Sequence, residues 1–135
     1  MKCFIDTNIL ISAGLFPGSV PDAALTKALS PPHTAITCDY ALDEMHKVIH
    51  EKFPDKVPRM ELFLYRLMFT VQIVKTPVDS LDVENEIRDV KDRPIFRAAI
   101  DAEADILLTG DNGFLNSGIT NPKMVKAADF LKMDG

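Results

Sequence analysis

The sequence of 135 residues lacks any apolar run that approaches the roughly 18 residues needed to cross a membrane. It has no glycine-rich phosphate-binding loop, which argues against nucleotide-dependent chemistry. Its start, Met1-Lys2, leads directly into an apolar stretch, without the long apolar region and small-residue cleavage site of a signal peptide. These absences predict a cytoplasmic protein with no membrane partner.

Cysteine is scarce, and its spacing argues against two common kinds of site. The chain has two cysteines, Cys3 and Cys38, which each border a predicted strand. They lack the close pairing of a zinc or redox motif. We therefore expect buried free thiols without a chemical role.

The pattern of apolar residues predicts an α/β protein. The length favours one domain over residues 1–135, and a content of 47% hydrophobic and 26% charged residues is typical of globular chains. The predicted strands are 2–6, 34–37, 71–75, 105–109 and, more weakly, 123–125. The predicted helices are 8–15, 22–30, 40–53, 58–69, 83–90, 94–103 and 127–132. This order predicts a three-layer α/β/α, Rossmann-like fold with a central parallel sheet of four to five strands.

Two aspartates follow predicted strands at the point where each strand ends. Asp6 follows the first strand, and Asp111 follows the strand at 105–109, with Gly110 in the exit turn. In open parallel sheets, ligands bind beyond the carboxyl ends of the strands. Because an unpaired carboxylate is costly to bury, Asp6 is expected to have either a structural partner or a chemical task.

Two further acids have both a structural and a functional interpretation. On the helix after the second strand, a helical wheel places Glu44 at the edge of the apolar stripe and Asp43 on the solvated side. Glu44 is then either a site residue or an ordinary flanking charge. Asp92 precedes the helix at 94–103, where it is either the helix cap or a neighbour of Asp111 at the same edge of the sheet.

Several stretches resemble, in order, the motifs of the PIN-domain family. They are FIDTNILIS at 4–12, ALDEMHKVI at 41–49, KDRPIFRAAIDAEADILLTGD at 91–111 and the phenylalanine at 114. The resemblance spans residues 2–115. It implies a PIN-like fold and a metal-dependent ribonuclease of the kind, exemplified by VapC-like proteins, that often serves as the toxin of a type II toxin–antitoxin pair. It also implies a set of metal ligands with two assisting residues: Asp6, Glu44, Asp92 and Asp111, assisted by Asn8 and Thr109.

The chemistry of such an acid set agrees with this implication. Two carboxylates about 4 Å apart repel by about 1 kcal/mol in water and by about 4 kcal/mol at an effective dielectric constant of 20, so four together require cations. Ligand sets made only of oxygen favour Mg²⁺ or Mn²⁺ over zinc. One or two such ions would polarise a phosphodiester and activate a water for attack. Many family members carry another acid two positions after Asp111, where this chain has Gly113, so a second ion is in question.

The net charge of -5 is unusual for a protein that binds nucleic acid. Without the four metal-site carboxylates it becomes -5 + 4 = -1, which leaves a nearly neutral surface. Lys91, Arg93 and Arg97, beside Asp92, either contact RNA phosphates or form a solvated, self-paired face. This balance predicts weak, non-specific binding of RNA.

Three other functions are considered for the same residues. A hydrolase with an aspartate nucleophile would need a second acid two positions after Asp6, where this chain has Asn8. A receiver-type signalling domain would need an aspartate at the end of its third strand, and VQIVKTP at 71–77 has none. A PIN-like binding or scaffold module without catalysis stays open, because an intact acid set indicates competence rather than use.

The resemblance also implies a cognate antitoxin and a homo-oligomer, such as a dimer. The helix at 58–69 carries more apolar residues than one face needs to bury, which favours an interface. These residues are Phe63, Leu64, Leu67, Met68 and Phe69.

Overall fold

The computed structural model describes residues 1–134, and its strands form one parallel sheet. The strands are β1 (Lys2–Ile5), β2 (Thr34–Cys38), β3 (Gln72–Val74), β4 (Ile106–Leu108) and β5 (Lys123–Val125). Their order across the sheet is β3-β2-β1-β4-β5, and each neighbouring pair is parallel. The predicted parallel sheet is therefore confirmed, at five strands.

Helices connect and cover these strands. They are α1 (Thr7–Leu15), α2 (Val20–Leu29), α3 (Asp39–Lys52), α4 (Val57–Leu67), α5 (Arg93–Asp101), α6 (Asn112–Leu115) and α7 (Ala127–Lys132). A further 3₁₀ turn, Pro54–Lys56, precedes α4. The short helix α6 was not predicted, because four residues are too few to show a helical period.

The helix predicted over 83–90 is wrong. The chain there forms two 3₁₀ turns, Asp82–Glu86 and Val90–Asp92. Glu84 turns its carboxylate back onto the Leu81 N–H at 3.1 Å, and the Asp89 carboxylate accepts the Lys91 N–H at 3.0 Å. Such bonds from side chain to backbone compete with a continuous helix.

Alternating residues of the central strand supply two hydrophobic clusters, one on each face of the sheet. In β1, Cys3 and Ile5 join the cluster formed with α1, α2 and α4, whereas Phe4 joins the cluster formed with α5 and Phe114. A strand buried on both faces is typical of parallel sheets covered by helices. The predicted three-layer α/β/α arrangement is confirmed, and Cys3 and Cys38 are buried free thiols as expected.

The helices of residues 1–134 are short. None of them alone is long and apolar enough to cross a membrane, and α1 with α2 reaches the required length and composition only across a bend of 112°.

The pairing of β1 with β4 places the strand ends side by side. Ile5 lies opposite Leu108, and the Asp6 N–H donates to the Leu108 carbonyl at 3.0 Å. The residues after these partners, Asp6 and Thr109, therefore meet at the carboxyl edge of the sheet.

Candidate active site

Asp6 is a buried carboxylate with two protein partners. It has an extended backbone, precedes the first turn of α1, and is 4% exposed. Its Oδ1 accepts the Thr7 N–H at 2.7 Å, and its Oδ2 accepts the Thr109 hydroxyl at 2.7 Å. The amino end of α1 also favours a negative charge at this position. Asp6 thus has structural partners, which is one of the two alternatives that the sequence left open.

Thr109 links Asp6 to Asp111 through one hydroxyl group. Its Oγ1 donates to Asp6 and accepts the Asp111 N–H at 3.0 Å. Asp111 in turn caps α6, where its Oδ1 accepts the Gly113 N–H at 3.0 Å. Asn8 contacts the turn between them, because its Oδ1 accepts the Gly110 N–H at 3.4 Å. The structure therefore brings the predicted acids Asp6 and Asp111 together with both predicted assisting residues.

Asp92 lies at the start of α5, but its side chain makes no capping hydrogen bond. Asp89 makes such a bond one turn earlier, to the Lys91 N–H. Burial raises the pKa of Asp92, and its closeness to Asp111 raises the pKa further. The helix-cap interpretation of Asp92 does not describe its contacts.

Glu44 lies on α3, half-buried, beside an open cleft of about 560 Å³. The cleft is lined by Tyr40, Asp43, Glu44, Lys47, Val48, Glu51, Lys52 and Lys91. Asp43 is exposed, as the helical wheel predicts, and it lines the same open cleft.

The electrostatics of these groups show that the acids influence one another. Burial raises the pKa of Asp6 to about 6, although the hydrogen bonds from Thr109 and Thr7 oppose the change, and the charges of Glu44 and Asp111 add to it. Burial is also the main cause of a raised pKa at Asp92, followed by the contact with Asp111 and the charge of Asp6. This edge of the sheet therefore carries negative charge that the protein itself does not neutralise.

The chemistry of the four acids fits a hard divalent cation, but the distances between their side chains are not those of a formed ion site. The acids supply only oxygen, which is the ligand type that Mg²⁺ and Mn²⁺ prefer. Within residues 1–134, however, no three histidine, cysteine or carboxylate side chains are arranged to hold one ion as they stand. The described residues present neighbouring carboxylates and not a closed cage, so a bound ion would require side-chain adjustment.

The basic residues near Asp92 have different environments. Arg97 forms an ion pair with Glu84, with Nη2 to Oε1 at 2.8 Å, and its Nη1 donates to the Pro77 carbonyl at 3.0 Å. Their side chains are 14% and 5% exposed. This ion pair holds the connection from β3 to α5 and favours the self-paired interpretation of Arg97 over the RNA contact. Arg93 Nε donates to the Ile87 carbonyl at 2.9 Å, and Lys91 is exposed beside the cleft.

Sequence reasoning missed two residues that shape this region. The Tyr40 hydroxyl donates to the Lys91 carbonyl at 2.8 Å and so joins α3 to the segment before Asp92. The Asp39 carboxylate accepts the Thr76 N–H at 2.8 Å and the Thr76 hydroxyl, and the hydroxyl bond is the main cause of the lowered pKa of Asp39. Neither contact has a local sequence signal, because each partner is more than 35 residues away along the chain.

Three solved structures share the fold of this chain. VapBC2 from Rickettsia felis, bound to a DNA fragment from its promoter, has a TM-score of 0.71 and 18% identity, over 93% of this chain and 98% of the matched chain. VapBC-1 from nontypeable Haemophilus influenzae has a TM-score of 0.64 and 18% identity, over 95% and 99%. VapC20 from Mycobacterium tuberculosis, a sarcin-ricin loop cleaving toxin, has a TM-score of 0.59 and 16% identity, over 87% and 95%.

At these identities the structural likeness establishes the fold. A comparison with curated protein sequences found no significant match. The sequence itself matches the PIN domain profile over residues 2–113, which include Asp6, Glu44, Asp92 and Asp111. By this match over most of its length, the chain belongs to the PIN-domain family.

Proposed function

We propose that this protein is a metal-dependent endoribonuclease that hydrolyses phosphodiester bonds in RNA, and that it is the toxin of a toxin–antitoxin pair. The observation that carries this proposal is the buried Asp6 carboxylate, which Thr109 links to Asp111 and whose pKa responds to the charges of Glu44 and Asp111. Its support is the family membership and the likeness to VapC20, a toxin that cleaves the sarcin-ricin loop.

The four acids share one task in this proposal, which is to bind the metal. Asp6, Glu44, Asp92 and Asp111 would hold one or two Mg²⁺ or Mn²⁺ ions. A bound ion would neutralise these carboxylates, polarise the phosphodiester and lower the pKa of an attacking water. Thr109 would keep the Asp6 carboxylate in one orientation through its 2.7 Å hydrogen bond. Such fixed outer partners are typical supports of metal ligands.

A second ion would have fewer ligands here than the first. Gly113 offers no side chain, and a Cβ at that position would meet the Asp111 Oδ1 at 3.4 Å. Its N–H already binds that oxygen at 3.0 Å. Asp111 therefore has one carboxylate oxygen committed to the protein and one, Oδ2, that would remain for an ion.

The structural relatives support an antitoxin partner, and an exposed apolar surface at the end of α4 supports a homodimer. Two relatives are VapBC proteins, which supports a cognate antitoxin for this chain. At and just beyond the end of α4, Met68 and Phe69 are 56% and 75% exposed, whereas Leu67 is buried. We propose that this exposed apolar end contributes to a homodimer, and that the protein acts in the cytoplasm, where its RNA substrate would be found.

The test of the nuclease is cleavage of single-stranded RNA with Mg²⁺ or Mn²⁺ present. EDTA should abolish cutting, and Asp6→Asn, Glu44→Gln, Asp92→Asn and Asp111→Asn should each slow it by roughly 100-fold, because each amide keeps the shape but removes the charge that holds the ion. Asp101→Asn is the matched control, since Asp101 is exposed at the far end of the helix that Asp92 begins.

Asp43→Asn is unsuitable as a control, because Asp43 lines the cleft. A well-folded protein that binds Mn²⁺ but leaves a varied panel of RNAs intact would overturn the nuclease proposal and favour the scaffold alternative. Activity that survives Asp92→Asn would remove Asp92 from the ligand set and make Asp89 the next residue to test.

A further inference from the structure

The cleft beside Glu44 has an aromatic wall that is held in place. Tyr40 lies in the first turn of α3, lines the cleft and is half-buried. Its hydroxyl donates to the Lys91 carbonyl at 2.8 Å, so both ends of the side chain are anchored. An aromatic ring that is already ordered loses little conformational entropy when it binds a flat group.

Tyr40 also lies next to the acid edge. Its pKa is raised first by burial and then by the charges of Glu44, Asp92 and Asp89. Glu44, one of the four proposed ion ligands, itself lines the cleft. A group that rests on the Tyr40 ring would therefore be a close neighbour of a phosphodiester bound at the acids.

Free positive charges line the same cleft. Lys47, Lys52 and Lys91 are exposed, and none of their ammonium groups forms an ion pair or a hydrogen bond within residues 1–134. The cleft carries three acids as well, but one of them, Glu44, belongs to the proposed ion site. A groove that combines unpaired lysines with an aromatic ring is typical of sites for single-stranded nucleic acid.

We propose that Tyr40 stacks against a base next to the cleaved phosphodiester, while Lys47 and Lys91 bind the flanking phosphates of the RNA. This inference rests on the proposed nuclease function and names where the neighbouring nucleotide lies. Because every base has a flat π-face, such a contact tolerates many sequences. It also gives the protein a means of holding RNA despite its net negative charge.

The experiment measures binding separately from cleavage. Fluorescence anisotropy with a labelled oligoadenylate of about eight nucleotides, in EDTA, reports affinity without cutting. Tyr40→Leu should weaken binding by about tenfold, as expected when one stacked base is lost. Tyr40→Phe keeps the ring and should bind within about twofold of the wild type. Tyr65→Leu is the matched control, since Tyr65 is the other tyrosine of the chain and lies on α4, outside the cleft.

A second probe tests whether the ring meets a base. On an abasic RNA of the same length, the wild type and Tyr40→Leu should bind equally. If Tyr40→Leu weakens binding to both RNAs by the same factor, Tyr40 only supports the fold and the stacking proposal is wrong. Unchanged binding of the oligoadenylate by Tyr40→Leu would also overturn it.

The lysines give a test that does not depend on the folding of a Tyr40 variant. Lys47→Gln and Lys91→Gln should each reduce the slope of log affinity against log salt by about 0.7, whereas Lys132→Gln, in α7, should not. An unaltered slope in both cleft variants would exclude the phosphate contacts. A wild type that cuts RNA while Tyr40→Leu binds normally would overturn this inference alone. Tyr40-dependent binding without any cutting would overturn the nuclease, and Tyr40 would then be a contact for bound RNA with no neighbouring cleavage.

Discussion

The buried charge of Asp6 should make the metal-free protein less stable than an uncharged variant. The pKa of Asp6 rises from 3.8 to about 6 on folding, which corresponds to about 3 kcal/mol lost from the free energy of unfolding once the group is ionised. Asp6→Asn removes this penalty. It also weakens the hydrogen bonds with Thr7 and Thr109, at a cost of about 1 kcal/mol. The variant should therefore be more stable by about 2 kcal/mol at pH 7.5.

The pH dependence has a definite sign. Because the folded pKa is raised, the contribution of Asp6 to stability is fully present below pH 3.8 and is lost as the pH rises through about 6. The advantage of Asp6→Asn should thus be largest near neutral pH and should fall at pH 5, by roughly half of the ionisation penalty. The pKa of Asp92 is also raised, so ionisation of Asp92 also lowers the stability of the wild type as the pH rises.

The assay is urea unfolding in EDTA, followed by circular dichroism, for the wild type, Asp6→Asn and Asp101→Asn. A gain of about 2 kcal/mol would also appear as a rise of roughly 7 °C in Tm for a chain of this length. Asp101→Asn should stay within about 0.5 kcal/mol of the wild type. If Asp6→Asn instead loses more than about 1 kcal/mol at pH 7.5, the ionised carboxylate is stabilised by the fold, and the reasoning from burial is refuted.

Two further predictions concern the ion and the interface. In the wild type, Mn²⁺ at about 100 times its Kd should raise the free energy of unfolding by about 2.7 kcal/mol, and Asp6→Asn should lose most of this gain; a melting curve that Mn²⁺ leaves unchanged would count against any ion site. Phe69→Ser should alter stability by less than about 0.5 kcal/mol, because Phe69 is 75% exposed, yet it should reduce self-association in sedimentation velocity. A dimer unaffected by this substitution would place the interface elsewhere.

The sequence alone determined the sheet and the location of two of its acids. A strand that is buried on both faces has a short, nearly continuous apolar sequence, so β1 and β4 can be predicted without tertiary information. Asp6 and Asp111 lie just after these apolar runs, which places both at the carboxyl edge of the sheet. The segment at 83–90 has an apolar spacing that mimics a helix, but Ile87 is its only buried apolar residue, and Val90 is 67% exposed.

Only the tertiary structure decided which side chains each acid and base contacts. Thr109 reaches Asp6 across 103 residues of sequence, and Arg97 is paired with Glu84. Asp92 occupies a cap position but lies against Asp111. Local periodicity reports which face of an element is apolar, but it carries no information on how the elements pack. The contacts of a charged side chain depend on that packing, because burial and distant partners set its energy.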